Sequence, residues 1–598
     1  MELENRQPAG VAREWAPPGG GSPRTLVSGP DPGAAVGWPA TFAPLDSRLP
    51  RQWPTLAELR AGRICLLGTD RSLGDPPDWL QTGAPALWRF HLHYWDWAWA
   101  LAADTDREAA RAVFARLWRS WHAMVRVGRQ DAWLAYPAAL RAWSWCGLHR
   151  DLVAGSELAQ AFVAELAGHI GFLRRDSASG TSGSHLIKDL KALVGLAVFF
   201  TDERLLRRAV GRLTARLAVQ VLPDGGHCER APAYHCQVLG DLIDVADLLA
   251  SAGHPPEAAL TQAIARMRHW LGGVLAPDGQ VPLLGGGYPV APELIAALAP
   301  GQPPAGPLLT LPDTGLVRAA VGGWHLLADV GATGRGELPG PAHADTLGCL
   351  VHVDGAPLLV DAGTSTSTST STCTPTCTPI SVPAPGPVRG HERTTAARNT
   401  VEIEGFGSAQ TRGAFRAARR ARARGLQTSG AATLVTIEAG LLFGRLSGRP
   451  AHRRRWSVSA SGLQVEDLVT GRGRHAVTAR WQLAPGSAVQ LDAGGALITT
   501  PAGAFLVSVA ASGVVKLTVE SAQLAAGFLR TTVAPVLACR IEAVLPVRLT
   551  TCWRKARDWS VPGAAGAAAR AWPPGAWPPG AWPPGVWPPA WPSGAWPR

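Results

Sequence analysis

The spacing of hydrophobic residues divides the chain into two regions. From about residue 55 to 300, apolar residues recur at the spacing of one face of an α-helix. Val238, Leu242, Val245 and Leu249 follow this spacing, and similar amphipathic segments cover roughly 133–152, 156–174, 185–200 and 203–221. Short loops separate the segments, so neighbouring helices should pair antiparallel. A series of such hairpins either stacks or closes into a toroid.

From about residue 310 to 555 the apolar residues alternate instead, as in half-buried strands. Asp354-Gly355 separates two apolar runs and is typical of a hairpin turn. Further strand-like runs lie at 401–403, 434–437, 463–465 and 505–509. Helices followed by strands, without alternation, indicate two separate domains. We therefore predict a multidomain α+β protein: an N-terminal (α/α) helical toroid over 51–305, then a large antiparallel β-sandwich over 306–560.

Three segments have compositions that do not support a packed core. Residues 1–50 are rich in Pro and Gly, and we predict a disordered leader. Residues 561–598 repeat Trp-Pro-Pro-Gly, which predicts an extended, disordered tail. Residues 364–387 form a Thr-, Ser- and Pro-rich insertion, which we predict to be a loop between strands.

Composition narrows the function classes. The 598 residues include 57 Lys and Arg against 45 Asp and Glu, a net charge of +12, which favours a polyanionic partner. No apolar run is long enough for a transmembrane segment, and the N-terminus does not resemble a signal peptide. Phosphate-binding loops and nucleic-acid-binding motifs are missing from the sequence, so we expect neither nucleotide chemistry nor a nucleic-acid partner.

Clusters of polar and ionisable residues interrupt the apolar segments. In chain order they read LHYWDW from Leu92, W..YP..LR from Trp133, SHLIKDLKALV from Ser184, DGGHCERAPAYH from Asp224, PDGQVPLLG from Pro277, HADTLG from His343, LVDAGTST from Leu359 and RTTAARNTV from Arg393. Together, over about residues 85–480, they resemble the heparinase II/III-type polysaccharide lyases. The resemblance implies the same toroid-then-sandwich order that the hydrophobic periodicity predicts.

Such lyases cleave the bond next to a uronic acid by β-elimination. The reaction needs a group that neutralises the C6 carboxylate, a base for the C5 proton and an acid for the departing O4. The resemblance assigns Tyr234 as general acid, or as both acid and base, and His185 as the base or its assistant. Ser184 stands where the family usually has an Asn that helps neutralise the carboxylate. A buried Tyr with a satisfied hydroxyl and a core His are the structural alternatives.

The resemblance also raises the question of a metal. The resemblance makes His343 a catalytic candidate, because it matches a family His at the sandwich edge facing the cleft. With Asp361, His343 also belongs to a set that binds a structural zinc in some members. The third ligand position holds Arg398, which is not a plausible zinc ligand. We therefore expect no required cofactor and a doubtful zinc site, with His391 as the alternative third ligand. Otherwise, Arg398 faces the cleft and pairs with the substrate carboxylate.

Other residues match positions that line the family's cleft. Trp133, Tyr136 and Arg141 would bind sugar rings and carboxylate, although the tryptophan could equally pack helix against helix. His227 and Glu229 flank the Tyr234 loop and are predicted to contact substrate or to orient that loop. His391 is a further candidate for substrate binding.

Three functions follow as expectations. The first is a lyase acting on a uronate-containing acidic polysaccharide, in the cell envelope or outside the cell by resemblance, or in the cytoplasm because no leader is visible. The second is a polysaccharide-binding protein of the same fold with a decayed site, which Ser184, Arg398 and the insertion favour. The third is a helical-toroid glycoside hydrolase, which would need two carboxylates from Asp224, Glu229 and Asp278.

Overall fold

The computed structural model describes the two predicted regions and leaves the low-complexity segments aside. The described residues are 36–49, 53–127, 131–178, 183–299, 301, 305–331, 343–365, 387–412, 416–420, 423–443, 446–492, 494–527 and 529–556. Most of the predicted leader, nearly all of the insertion and the whole of the predicted tail lie outside these ranges. Within them, we find no helix with the length and apolar character that a membrane crossing requires.

The first domain is helical. Its α-helices are α1 (Leu45–Arg48), α2 (Leu56–Arg60), α3 (Ala86–Leu92), α4 (Trp99–Ala103), α5 (Arg107–Met124), α6 (Ala135–Leu148), α7 (Ala159–Ala178), α8 (Gly183–Phe199), α9 (Glu203–Gln220), α10 (Pro232–Ser251), α11 (Ala258–Val274) and α12 (Pro292–Leu298). A hairpin of β1 (Arg63–Leu66) and β2 (Thr69–Ser72) lies between α2 and α3. The 3₁₀ turns Asp96–Ala98 and Asp131–Trp133 and a π-helical turn His149–Val153 complete the domain.

The helices form an inner and an outer layer. Helices α6, α8 and α10 are buried on most of their surface, and α8 packs against α6, α7, α9 and α10. Helices α5 and α9 each bury one apolar face and leave their arginines on the other, as the periodicity predicts. Antiparallel pairing makes every second helix point the same way. The N-terminal ends of α6, α8 and α10 therefore meet at one end of the toroid.

A buried ion network joins α8 to α10. The ammonium of Lys191 lies 2.9 Å from Asp241 and 2.6 Å from Asp244, and Lys188 lies 2.8 Å from Asp241. Burial lowers the pKa of Lys191, but the two carboxylates outweigh that effect and raise it overall. Two lysines of the SHLIKDLKALV motif are thus held by carboxylates of the neighbouring helix.

The prediction of a disordered leader is wrong for residues 36–49. Trp38 packs on Trp143 with ring centroids 4.5 Å apart, and its indole N–H donates to the carbonyl of Gly195 at 2.8 Å. The backbone N–H of Leu45 donates to Asp244 at 2.8 Å. Apolar anchors hold this segment on the toroid despite its Pro and Gly content.

The second domain is an antiparallel β-sandwich. Its strands are β3 (Leu308–Leu311), β4 (Leu316–Val321), β5 (Trp324–Asp329), β6 (Cys349–Val353), β7 (Ala356–Leu359), β8 (Val401–Ile403), β9 (Ala409–Arg412), β10 (Arg416–Arg420), β11 (Arg424–Gly430), β12 (Leu434–Leu442), β13 (Ala451–Ser459), β14 (Gly462–Thr470), β15 (Arg474–Gln482), β16 (Ala488–Asp492), β17 (Gly495–Thr500), β18 (Gly503–Ala511), β19 (Val515–Gly527), β20 (Arg530–Val544) and β21 (Val547–Lys555). A helix α13 (Pro387–Glu392) and a 3₁₀ turn (Thr395–Ala397) precede β8.

The strands form three main sheets. Their orders are β3-β4-β5-β6-β7, β11-β12-β13-β14-β21-β18-β17-β16 and β19-β20-β15-β8. The predicted hairpin is confirmed, because Asp354 and Gly355 both have positive φ and connect β6 to β7. Inward-facing side chains of the sheets form one core, in which Trp481 and Trp553 pack edge to face at 5.7 Å. The predicted order of toroid and sandwich is confirmed.

Hydrogen bonds fasten the sandwich to the loop that precedes α10. Asp224 accepts from the backbone N–H of Thr314 at 2.7 Å and from its hydroxyl at 2.8 Å. The indole N–H of Trp270 on α11 donates to the same hydroxyl at 3.0 Å. Gly226 fits against this contact because a Cβ there would lie 2.1 Å from Cγ2 of Thr314. The β-sandwich thus helps to hold in place the loop between α9 and α10, which leads to Tyr234.

Candidate active site

All four tyrosines of the chain meet at one end of the toroid. Tyr136 lies in the first turn of α6 and Tyr234 in the first turn of α10. Tyr94 follows α3 and packs on Tyr136 at 5.9 Å, while Tyr288 in the loop before α12 packs on Tyr234 at 5.8 Å. The two pairs are linked by Gln237, which hydrogen bonds to the hydroxyls of Tyr136 and Tyr288.

His185 joins this cluster from the first turn of α8. Its ring lies 4.6 Å from that of Tyr136. His185, Tyr136, Tyr234 and Tyr288 are each largely buried but partly exposed, so the cluster can be reached from solvent. The structure therefore brings together three of the predicted site residues, Tyr136, His185 and Tyr234.

The surroundings set the protonation states of this cluster. Burial lowers the pKa of His185, although Glu229 acts in the opposite direction, so the imidazole is neutral at neutral pH and can accept a proton. Burial raises the pKa of Tyr136 and Tyr288 well above the ordinary value, so both remain protonated donors. A neutral imidazole beside protonated phenols suits proton transfer.

Ser184 binds Glu229. The Glu229 carboxylate accepts from the backbone N–H of Ser184 at 2.9 Å and from its hydroxyl at 3.1 Å. It thereby occupies the N-terminus of α8, where backbone N–H groups favour a negative charge. Gly183 has a φ of +66°, and a Cβ there would lie 2.2 Å from the same carboxylate oxygen. The predicted carboxylate-binding hydroxyl is thus already occupied by a carboxylate of this chain.

The imidazole of His227 stabilises the loop between α9 and α10, which leads to Tyr234. It is 1% exposed and hydrogen bonds to Gln220 at 2.8 Å. The backbone N–H of His227 donates to Nδ1 of His235, whose other ring nitrogen lies 3.0 Å from the carbonyl of Met267. Of the two predicted roles for His227, contact with substrate is contradicted by its burial, and orientation of the loop fits its contacts.

Comparison with known proteins identifies the family. The Heparinase II/III N-terminus model matches residues 87–298, and the Heparinase II/III-like, C-terminal model matches residues 303–549. The chain belongs to the heparinase II/III-like family. Its family and fold are those of polysaccharide lyases.

Solved structures agree with this architecture. A crystal structure of heparinase III is 14% identical with a TM-score of 0.66, covering 81% of this chain and 80% of that one. A mutant heparan sulfate lyase from Pedobacter heparinus is 16% identical with a TM-score of 0.60, covering 86% and 85%. At these identities the likeness shows the fold, a helical toroid followed by a β-sandwich.

A curated relative covers part of the chain. FtsZ-localized protein C of Caulobacter vibrioides is 30% identical over 346 residues, which is 55% of this chain and 56% of that protein. The chain thus spans about half the length of this relative.

Two predicted substrate-binding residues belong to the core. Arg141 is fully buried, donates to the carbonyl of Ala132 at 2.7 Å and to His169 at 3.1 Å, and lies 4.8 Å from the ring of Trp133. Burial lowers its pKa to about 9. Trp133 is 5% exposed and packs on Phe172. The prediction that Arg141 lines the cleft is wrong, and of the two alternatives for Trp133 the structure shows packing between helices. Both residues lie in a tryptophan-rich core.

The residues at the family's zinc position do not fit a zinc ion. The guanidinium of Arg398 is fully buried and contacts both Asp361 and Nδ1 of His343. It also donates to the carbonyl of Glu392. Among the described residues, we find no group of three His, Cys, Asp or Glu side chains that could hold a metal. A permanent organic cation occupies the place between the two predicted ligands.

The burial of these residues corrects two predictions, that Arg398 pairs with the substrate carboxylate and that His343 faces the cleft. Arg398 and His343 are 0% and 2% exposed, so neither presents its side chain to a substrate in this structure. Burial lowers the pKa of Arg398 to about 10, so the guanidinium stays charged at neutral pH. His391, the alternative ligand, lies on the surface of α13 and its backbone carbonyl accepts from Thr394. Arg398 is thus a structural cation of the sandwich.

The three carboxylates that were candidates for a glycoside hydrolase site all have hydrogen-bond partners within the protein. Asp224 accepts from Gly226 and Thr314, and Asp278 accepts from the N–H of Gln280 at 3.0 Å and lies 3.5 Å from His352. Both act as turn residues at the junction between the domains. Glu229 is the remaining candidate, and it caps α8.

Sequence reasoning missed three members of the cluster, Tyr94, Tyr288 and Gln237. Gln237 lies three residues after Tyr234 on α10, a spacing that places both on one helix face. The only signal for Tyr288 is a weaker one, namely that tyrosine is rare in this chain. Gln237 could have been proposed from Tyr234, but its hydrogen bond to Tyr288 depends on the fold of the 275–291 loop.

Proposed function

We propose that this protein cleaves a uronate-containing acidic polysaccharide by β-elimination. The observation that carries the proposal is the position of His185 and Tyr234, partly exposed in the first turns of the adjacent helices α8 and α10. The membership in the heparinase II/III-like family supports this reaction class. The net charge of +12 supports an acidic polymer as the partner.

The proposed step uses groups that the cluster provides. Neutral His185 removes the C5 proton, the released electron pair forms the C4=C5 bond, and the C4–O4 bond breaks. The Tyr234 hydroxyl gives its proton to the departing O4. The N-terminus of α10 stabilises the negative charge that develops on the uronate. Water is not consumed.

A second candidate is a polysaccharide-binding protein of the same fold. The hydrogen bonds of Ser184 to Glu229 favour it, because a chain carboxylate takes the donors that the resemblance assigns to the substrate.

The name of the Caulobacter relative describes localisation with FtsZ. For this protein we propose, on that basis, a location in the cytoplasm or at the cell envelope.

The test is a panel of uronate polymers followed by ultraviolet absorbance of the unsaturated product. Tyr234→Phe and His185→Gln should each abolish a rise that the unmodified protein gives with at least one polymer. His254→Gln changes an exposed histidine paired with Glu203 at 3.4 Å and should leave the rise intact. Binding without any rise in absorbance would favour the second candidate.

A further inference from the structure

A carboxylate of the protein lies beside the cluster, whereas a site that binds a highly anionic chain would be expected to carry positive charge there. The Glu229 carboxylate is partly exposed at the N-terminus of α8, where it binds Ser184 and lies close in space to the following residue, His185. It adds a fixed negative charge where the proposed reaction places the uronate. A further anionic group bound nearby would be repelled by it.

Basic side chains near this end of the toroid already have partners within the protein. Lys188 binds Asp241 at 2.8 Å, and Arg89 binds Asp131 at 2.5 Å. Arg230, beside Glu229, donates to the carbonyl of Asp313 at 2.9 Å. Within the described residues, these contacts direct each cation toward the protein rather than toward a bound polymer.

We propose that Glu229 is a specificity-determining residue that restricts the cleft to unsulfated uronate polymers. This inference rests on the proposed function. One carboxylate per uronate is tolerated because protonated phenols and the N-terminus of α10 can donate to it. Sulfate groups add charge that the carboxylate of Glu229 opposes, and like-charge contacts of this kind cost about tenfold to a hundredfold in binding.

Glu229→Gln tests the charge without removing the helix cap. The amide oxygen of the new side chain can still accept from the backbone N–H and hydroxyl of Ser184. Glu257→Gln is the matched control, because Glu257 is exposed at the N-terminus of α11 and its side chain makes no capping hydrogen bond. Thermal unfolding of both variants verifies that the fold is kept.

The substrates are an unsulfated glucuronate–N-acetylglucosamine polymer and the same polymer after sulfation. We expect kcat/KM for the unsulfated chain to exceed that for the sulfated chain by about tenfold or more. Glu229→Gln should narrow this ratio by about tenfold, and Glu257→Gln should leave it unchanged. Equal or better cleavage of the sulfated chain, or an unchanged ratio in Glu229→Gln, would overturn the inference.

Binding separates this inference from the proposed function. Affinities for the two polymers are measured by calorimetry at one salt concentration in the unmodified protein and in Glu229→Gln. If neither polymer is cleaved but the unsulfated one binds more tightly in a Glu229-dependent manner, the lyase proposal fails and the specificity inference stands. If neither polymer binds, both fail for this substrate class.

Discussion

The guanidinium of Arg398 contacts the carboxylate of Asp361 inside the β-sandwich, between strands that the long insertion separates in sequence. The same guanidinium contacts His343. Two residues that the family resemblance assigns to a zinc ion are therefore held together by a cation from the chain itself. The charge of the buried Asp361 carboxylate is thus balanced by a side chain of the same protein.

Removal of this buried cation should be costly. Arg398→Met leaves the Asp361 carboxylate buried without its partner, and we expect a loss of about 3–5 kcal/mol in the free energy of unfolding. Arg453→Met breaks an exposed pair with Glu438 at 2.9 Å and should cost at most about 1 kcal/mol. Urea unfolding of both variants measures the difference, and equal losses would contradict a structural role for Arg398.

Arg398→His should convert this position into a zinc site. The new imidazole would join His343 and Asp361 as a third ligand. We expect zinc to raise the melting temperature of Arg398→His and to leave that of the unmodified protein and of Arg398→Met unchanged. A zinc-dependent rise in the unmodified protein would show that Arg398 does not replace the metal.

A second buried cluster predicts how stability depends on pH. Asp467 accepts from Arg454 at 2.6 Å and from His452 at 2.7 Å. Burial raises the pKa of Asp467, but Arg454 and His452 outweigh it and lower the pKa to about 2. An aspartate in the unfolded chain titrates near 3.9, so the ionised form stabilises the fold above that pH.

This stabilisation should disappear as the pH falls from about 4 to 2. We expect a loss of about 2 kcal/mol from this group over that window, measured by urea unfolding at stepped pH. Asp467→Asn should flatten the dependence, while Asp247→Asn, at an exposed pair with Arg48, should retain it. An identical pH dependence in the unmodified protein and Asp467→Asn would rule out this origin.

Gly226 is expected to be intolerant of a side chain. A Cβ would lie 2.1 Å from Thr314 and 2.7 Å from the indole nitrogen of Trp270, so Gly226→Ala should destabilise by about 1–3 kcal/mol. Gly211→Ala on α9 meets open space and should stabilise by about 0.5–1 kcal/mol. Thermal unfolding distinguishes the two, and a neutral Gly226→Ala would mean that the junction can shift.

Hydrophobic periodicity predicted both domains because burial decides which face of a helix or strand is apolar. The four residues of α10 chosen from that pattern, Val238, Leu242, Val245 and Leu249, are all buried. Periodicity says nothing about polar residues that are buried with partners. Arg141 was expected in the cleft, yet it lies in the core, where its guanidinium donates to His169 and to two backbone carbonyls.

Residues of the candidate site that lie at the starts of helices could be predicted from the sequence. Tyr136, His185 and Tyr234 lie in first turns, so their order in the sequence matches their positions around one end of the toroid. The link between Ser184 and Glu229 joins positions 45 residues apart. Only the packing of the loop before α10 against α8 brings that pair together, so sequence spacing could not reveal it.

The central claim is elimination at His185 and Tyr234, and the mass of the products tests it most directly. A uronate polymer that the protein degrades is digested to completion, and the fragments are analysed by mass spectrometry. The account predicts non-reducing ends that are lighter than hydrolysis products by one water, and no such fragments with Tyr234→Phe. Fragments with the mass of hydrolysis products, or unsaturated fragments that persist in Tyr234→Phe, would contradict it.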